Sequence, residues 1–199
     1  MADINFGLGD LAYKGVSYKT KPGTETMGFR VFGGSVYFSI NNQKDFHPIF
    51  NRSLNSACQT VIVGFLKEIL GASPKSRRSY SLTTYDKQQN KQVFDYAFAI
   101  EKDDQNLVSI KVKWANNEYE AVIKGPFGMS FGANELTPAE RSAIGVKSLI
   151  SWFEHDVPIQ SAISNRKRDF TNGSGGGQGG GRGGSSSSSG SIPSDESYF

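Results

Sequence analysis

Strict alternation of apolar and polar side chains is the feature that most limits how this chain can fold. The segment VSIKVKW is the clearest case. Its apolar and polar residues interleave without a break: Val108, Ile110, Val112 and Trp114 against Ser109, Lys111 and Lys113. Side chains alternate across a β-strand, so the pattern predicts one buried and one solvated face. Strands of this kind are typical of antiparallel sheets.

Similar alternation predicts strands on both sides of this segment. They are expected in GVSYKTK, GFRVFGGSVYFSI, YSLTTYD, VFDYAFAIE and EYEAVIK, with a weaker first strand in INFGLGDLAY. Within GFRVFGGSVYFSI, the pair Gly33-Gly34 predicts a hairpin, because paired glycines favour its tight turn. The sequence therefore predicts two groups of antiparallel strands.

The segment from about Pro48 to Leu70 has the period of an amphipathic helix instead. Its apolar positions, among them Phe50 and Leu54, form one broad face. Gly71 follows as a stop, because glycine tolerates the left-handed conformation that ends many helices. A long helix is thus predicted between the two groups of strands.

A second helix is predicted from the capping signals in TPAE. Thr137 is expected at the N-cap, Pro138 at the first helical position and Glu140 at the third, which together form a capping box. An apolar stripe extends this helix to about His155. The folded part of the chain is expected to end near Ser164.

The order of these elements places the chain in the α+β class. We expect antiparallel sheets with two long helices on one face, as two ββββα units, which look like the Whirly or Pur-alpha arrangement. An OB-fold with a C-terminal extension is the alternative, since three strands, a helix and two strands over residues 12–100 also match that order. The pattern along the chain does not separate the two.

Charge and composition divide the chain into two parts. Residues 1–168 hold 21 Lys and Arg against 16 Asp and Glu, whereas residues 169–199 hold one Arg and three acids. Residues 172–191 read NGSGGGQGGGRGGSSSSSGS, which cannot repay the entropy of ordering. We therefore expect a basic, folded nucleic-acid-binding domain over residues 1–168. A disordered linker with an acidic, partner-binding tip is expected over residues 169–199.

Few residues in the sequence point to catalysis or to a bound cofactor. The two histidines have no Cys, His or carboxylate at metal-ligand spacing, and no glycine-rich stretch has the Lys-Ser/Thr of a phosphate-binding loop. The single cysteine, Cys58, cannot form an intramolecular disulfide, as is usual in a reducing compartment. No stretch approaches the roughly 18 apolar residues of a membrane span, and the N-terminus lacks the pattern of a signal peptide. We expect a cytoplasmic protein that is not an enzyme and binds no metal or cofactor.

The solvated side of the predicted sheets combines cations with aromatic rings. Single-stranded nucleic acid is bound by this combination, since cations follow the phosphates and rings stack on unpaired bases. The segment SPKSRRSY adds three cations in a predicted loop before Tyr80. The candidate nucleic-acid-binding residues are Lys19, Lys21, Arg30, Phe32, Tyr37, Lys75, Arg77, Arg78, Lys111 and Lys113. The alternative interpretation is that these lysines are only the solvated face of an antiparallel sheet.

The chain ends in SIPSDESYF, with two carboxylates before a tyrosine and a terminal phenylalanine. Together with the basic body and the Gly/Ser-rich linker, this ending resembles that of bacterial and phage single-stranded-DNA-binding proteins, whose acidic tip ends in an aromatic residue. The likeness in motif is confined to this segment, and the acidic run is shorter than is usual in that family. The resemblance implies that Asp195, Glu196, Tyr198 and Phe199 bind a partner protein.

These features predict a sequence-nonspecific single-stranded-DNA-binding protein. It would coat single-stranded DNA in replication, recombination or repair, and recruit replication or recombination proteins through its tip. If the protein is phage-encoded, it would act in the host cytoplasm. An RNA-binding protein or RNA chaperone, and a structural assembly protein with a docking tail, are the alternatives. The oligomeric state stays open, with a homo-oligomer among the options.

Overall fold

Eight strands and two long helical regions make up the part of the chain that the computed structural model describes, residues 15–43, 48–125 and 136–173. The elements are β1 Gly15–Lys19, β2 Glu25–Phe32, β3 Ser35–Asn42, β4 Pro48–Leu54, α1 Ser56–Gly71, β5 Ser76–Asp86, β6 Lys91–Lys102, β7 Val108–Trp114, β8 Asn117–Val122, α2 Pro138–Ser151, a π-helical segment Trp152–Asp156 and α3 Val157–Gly173. Strands β1–β4 form one antiparallel sheet, sheet A, and β5–β8 form a second, sheet B. The α+β class, with antiparallel strands ahead of each helical region, is confirmed.

The segment predicted as the first turns of the long helix is a strand. β4 occupies it, and the helix begins only at Ser56, where the Asn55 side chain accepts a hydrogen bond from the Cys58 N–H at 2.8 Å. Phe50 and Leu54 are buried as expected, but from a strand. The helix prediction was wrong here because a spacing of four fits both a helical turn and two strand periods. The predicted weak strand in INFGLGDLAY lies outside the described residues.

The C-terminal helix continues well beyond its predicted end near His155. Helical backbone passes through the π-helical segment into α3 and reaches Gly173, so the predicted end of the folded part also falls short. Pro158 explains the π-helical turn, since a proline inside a helix has no N–H to donate and its ring crowds the carbonyl four residues earlier. The Val157 N–H instead reaches back five residues to the Trp152 carbonyl.

Helix α2 begins at the predicted capping box. The Thr137 hydroxyl accepts from the Glu140 N–H at 3.3 Å, and the Glu140 carboxylate accepts from the Thr137 N–H at 2.8 Å. Hydrogen bonds from the Thr137 backbone and hydroxyl lower the pKa of the Glu140 carboxyl. Further along α2, a Cβ at Gly145 would lie 2.7 Å from the Lys124 carbonyl carbon. This close approach sets the chain just after β8 against the helix.

One hydrophobic core joins both sheets to the helices. The Phe98 ring of sheet B lies 6.4 Å from Phe29 and 5.5 Å from Phe38 of sheet A, centroid to centroid. Ile62 of α1 and Val146 of α2 belong to the same buried cluster. Each sheet therefore has an inner face that packs on this core and an outer face that carries the opposite set of side chains.

Candidate nucleic-acid interface

The outer face of sheet A carries cations and aromatic rings on adjacent strands. Alternation along β2 turns Phe29 inward and Arg30 and Phe32 outward, and the same alternation turns Tyr37 outward on β3. The register places Arg30 directly opposite Tyr37. Phe32 is 71% exposed at the end of the hairpin, and both glycines of the turn have positive φ, as the predicted hairpin requires. The predicted orientation of this hairpin is confirmed.

Small, neutral side chains surround these residues. A Cβ at Gly28 would lie 2.1 Å from the Val16 carbonyl oxygen, so β1 and β2 are too close for any other residue there. Among the described strands, this outer face holds no Asp or Glu; its residues include Gly15, Ser17, Lys19, Thr26, Gly28, Arg30, Phe32, Ser35, Tyr37, Ser39, Asn41, Asn51 and Ser53. Neither Lys19 nor Arg30 forms an ion pair with a described residue. We call Lys19, Arg30, Phe32 and Tyr37 the sheet A patch.

The outer face of sheet B alternates cations with carboxylates. Lys111 Nζ lies 3.1 Å from Glu101 Oε1 and 3.9 Å from Glu120 Oε1. Arg77 lies 3.9 Å from the other Glu101 oxygen, and Lys21 lies 2.7 Å from Glu120. These charges form a network across the strands of the sheet. Lys111 and Lys21 are therefore each paired with a carboxylate of the protein.

Lys113 and two alanines give this outer face its open part. Lys113 is exposed and lies opposite Glu118 in the register, with no ion pair to a described residue. Next to it, Ala97 and Ala99 leave a shallow concavity of about 230 Å³ between the cations of β5 and β7. We call this surface the sheet B patch, and its charged residues are Arg77, Lys111, Lys113, Glu101, Glu118 and Glu120. Its formal charges cancel.

The two outer faces meet at the edge where β1 approaches β8. The Lys21 N–H donates to the Glu120 carbonyl at 2.8 Å and joins the two sheets. A concavity of about 440 Å³ opens at this junction, with Lys19 on one side and Lys124 on the other. Tyr18 also lines it, and burial raises the pKa of the Tyr18 phenol far above its ordinary value, so its hydroxyl stays neutral.

Lys124 is a cation that the sequence analysis missed. The alternation of EYEAVIK carries Glu118, Glu120 and Lys124 to one face, so the sequence contains the signal for its outward orientation. Its position beside Lys19 has no local signal, because residues far apart in the chain form the junction.

Two predicted cations lie apart from these patches. Arg78 lies in β5 opposite the buried Ile100, and its Nε is 2.5 Å from the Glu68 carboxylate of α1. Lys75 lies in the turn before β5, with a positive φ of 62°. The predicted loop at Arg77 and Arg78 was wrong, since both belong to the strand. The first four residues of β5, SRRS, are all polar, so they show no alternation of apolar residues.

The candidate residues follow the order of the strands. Across the outer faces the order is β3, β2 and β1 of sheet A, then β8, β7, β6 and β5 of sheet B. In that order, these strands carry or lead into the candidate residues Tyr37, Arg30, Lys19, Lys124, Lys113 and Arg77. Neighbouring strands lie about 4.8 Å apart, and the register sets Lys19 four residues along the strand from Arg30 and Lys113 four from Arg77, so these side chains form a staggered path across both sheets.

Other classes of site leave few traces in the described structure. Within residues 15–43, 48–125 and 136–173, no group of three or more His, Cys, Asp or Glu side chains is arranged to hold a metal ion. No helix in the same residues is both long and apolar enough to cross a membrane. The tip residues Asp195, Glu196, Tyr198 and Phe199 lie outside the described part of the chain, so their predicted role in partner binding stays a prediction.

Comparisons with known proteins leave the chain without an assigned family. No family model matches it, and no curated protein matches it. A crystal structure of MRP1/MRP2 from Trypanosoma brucei is similar over 72% of this chain and 83% of that chain, with 8% sequence identity and a TM-score of 0.38. A likeness at this level supports no conclusion about fold or function.

Proposed function

We propose that this protein binds single-stranded DNA without sequence preference, along the path across the outer faces of sheets A and B. The observation that carries the proposal is the sheet A patch, where Arg30 lies directly opposite Tyr37 on a face without carboxylates among the described residues. Phosphates bind cations that are not already neutralised, and unpaired bases stack on rings. The small side chains around the patch leave room for a DNA strand to approach.

The finer fold assignment belongs to the same proposal. Two separate four-stranded sheets, each followed by a helix, support the Whirly or Pur-alpha arrangement. An OB-fold is a single five-stranded barrel, which accounts less well for eight strands in two sheets. The function proposed for this fold is binding, with no catalytic step.

The acidic tip completes the proposed function. SIPSDESYF carries the aromatic ring of Phe199 after the carboxylates of Asp195 and Glu196, and this ring can enter an apolar pocket with a basic rim on a replication or recombination protein. The Gly/Ser-rich linker supplies reach, about 5–6 Å times the square root of its length. The protein would then coat single-stranded DNA in the cytoplasm and bring the partner to it.

Competition between nucleic acids tests the proposal. The full-length protein should bind fluorescent oligo(dT) more tightly than single-stranded RNA or duplex DNA of equal length, with affinity falling steeply as salt rises. Tyr37→Ala should weaken oligo(dT) binding by about 1–3 kcal/mol, the effect of losing one stacked base. The matched control is Lys147→Glu, a charge change at an exposed position of α2.

Two results would count against the proposal. Tighter binding of RNA would favour an RNA-binding function for the same surface. Equal, weak binding of all three nucleic acids, unchanged by Tyr37→Ala, would leave the cations as a solvated sheet face only.

A further inference from the structure

The hairpin of β5 and β6 extends beyond the rest of sheet B. β6 pairs with β7 only from Tyr96 to Lys102, whereas its pairing with β5 continues out to Lys91. Residues 83–86 and 91–95 therefore form a two-stranded ribbon that neither β7 nor β8 pairs with. A ribbon of two strands is only marginally stable in water, so its side chains and a ligand have a large influence on it.

A β-bulge sets the direction of Phe94 on this ribbon. Leu82 lies opposite Tyr96 and Thr83 lies opposite Phe94, so Asp95 is an extra residue on β6. With unbroken alternation, Phe94 would share the inner side with the buried Tyr96. The extra residue turns Phe94 to the outer side instead, where its ring is 49% exposed.

Arg52 of sheet A holds this bulge in place. Its Nη2 lies 2.7 Å from Asp95 Oδ1, and its Nε lies 3.0 Å from Asp95 Oδ2. The hydrogen bond to the carboxylate raises the pKa of the Arg52 guanidinium, and two parallel bonds of this kind fix the geometry of a pair. Arg52 is thus a positioning residue for the Phe94 ring.

Tyr85 lies on the same side of the ribbon as Phe94. β5 contains no extra residue, so its alternation runs without interruption from Arg77 on the sheet B patch to Thr83 and Tyr85. Phe94 lies opposite Thr83 and therefore shares that outer side. The Tyr85 ring is 50% exposed, and its hydroxyl donates to Asn90 Oδ1. Two exposed rings thus continue the face that carries Arg77.

Charge on the ribbon favours a polyanion. Lys87 and Lys91 are exposed and form no ion pair with a described residue. The ribbon and its turn, residues 83–95, hold two carboxylates. Asp95 is paired with Arg52, and Asp86 Oδ1 accepts the backbone N–H groups of Gln88 at 2.8 Å and Gln89 at 3.2 Å. The Asp86 carboxylate therefore shapes the turn, and the lysines are left for a ligand.

We propose that Tyr85 and Phe94 form a stacking platform for unpaired bases, which extends the binding path from the sheet B patch along the projecting ribbon. This inference rests on the proposed function and adds two binding residues to it. Rings stack on bases of any sequence, and Lys87 and Lys91 are the nearest cations along the ribbon for the phosphates. A second copy of the chain is a less suitable ligand, because the ribbon is cationic and largely polar and offers, among its described residues, no apolar edge for self-association.

Ring removal in the full-length protein tests the platform. Phe94→Ala and Tyr85→Ala should each weaken binding of fluorescent oligo(dT) at least about fivefold. Phe94→Trp should bind with the affinity of the unaltered protein and add a fluorescence signal that DNA quenches. Thr84→Ala is the matched control, because Thr84 lies on the opposite side of the same ribbon. The salt dependence of binding should stay the same in the alanine variants, since stacking releases no counterions.

The possible outcomes separate this inference from the function it rests on. If Arg30→Glu weakens oligo(dT) binding and both ring variants bind like the unaltered protein, the platform is wrong and the proposed function stands. If the unaltered protein binds no oligo(dT), both fail. If a ring variant changes the sedimentation mass of the protein without changing its DNA affinity, the ribbon is a self-association surface, and the platform is again wrong.

Discussion

The outer faces of the two sheets arise from the same alternation, but they differ in whether carboxylates lie beside their cations. On sheet B, three cations face three carboxylates, and Lys111 lies 3.1 Å from Glu101. On sheet A, Lys19 and Arg30 project from a face that has no carboxylate among its described residues. A phosphate approaching sheet B competes with carboxylates already in place, whereas one approaching sheet A does not.

The difference shows that counting outward cations is not enough to locate a binding surface. Exposed ion pairs contribute only about 0–1 kcal/mol to stability. Each of them nevertheless occupies a cation that could otherwise neutralise a phosphate and release its counterion. We therefore expect sheet A and the junction to contribute most of the phosphate binding. Sheet B should contribute through Lys113 and through the rings on its ribbon.

Charge reversal on the sheet A patch should have the largest effect on DNA binding. Lys19→Glu together with Arg30→Glu should weaken oligo(dT) affinity at least about a hundredfold at low salt, because about 1 kcal/mol of attraction at each phosphate becomes repulsion of similar size. Anisotropy titration of the double variant measures this. A loss below about tenfold would remove the contrast between the two faces.

Charge reversal on the sheet B patch should weaken DNA binding less than charge reversal on the sheet A patch. Lys113→Glu should weaken affinity about tenfold, and Glu118→Gln should tighten it about threefold, because Glu118 lies opposite Lys113 and offsets its charge. The same titration tests both variants. An effect of Lys113→Glu as large as that of the sheet A double variant would place the main phosphate site on sheet B instead.

A neutral substitution at the junction should have a smaller effect again. Lys124→Ala should lower affinity about threefold and reduce the slope of log affinity against log salt by about 0.7–0.9, the change for one phosphate contact. Titrations at several salt concentrations give the slope. A reduced affinity with an unchanged slope would mean that Lys124 acts through the structure of the junction and does not contact phosphate.

Removing the tip should have the smallest effect on DNA binding. Deletion of residues 191–199 should change oligo(dT) affinity less than about twofold, and only at low salt, because charges on the tip are screened over about 8–10 Å. The deletion should abolish capture of the partner protein, and removal of Phe199 alone should cause most of that loss. Pull-downs from cell lysate with full-length and Phe199-deleted protein, beside a DNA titration of each, measure both effects. Identical pull-downs would show that the terminal ring recruits nothing.

Local patterns predicted a large part of the fold. VSIKVKW forms β7 over its whole predicted length, and the Gly33-Gly34 turn and the Thr137 capping box are both present. These features depend on neighbours within a few residues, so the sequence contains them in full. Where a local pattern fits two structures, as at Phe50 and Leu54, the strand became clear only from its pairing with β3.

In unbroken strands the sequence by itself determined which side chains face outward, whereas the tertiary structure decided which of them are available to a ligand. The outward orientation of Lys111 follows from the two-residue period of a strand. Its ion pair with Glu101 follows from the pairing of β6 with β7, and the position of Lys19 beside Lys124 from the meeting of two sheets. The direction of Phe94 depends on a bulge that Arg52, from the other sheet, holds in place. Each of these depends on contacts between segments distant in the chain, which alternation along a single strand does not specify.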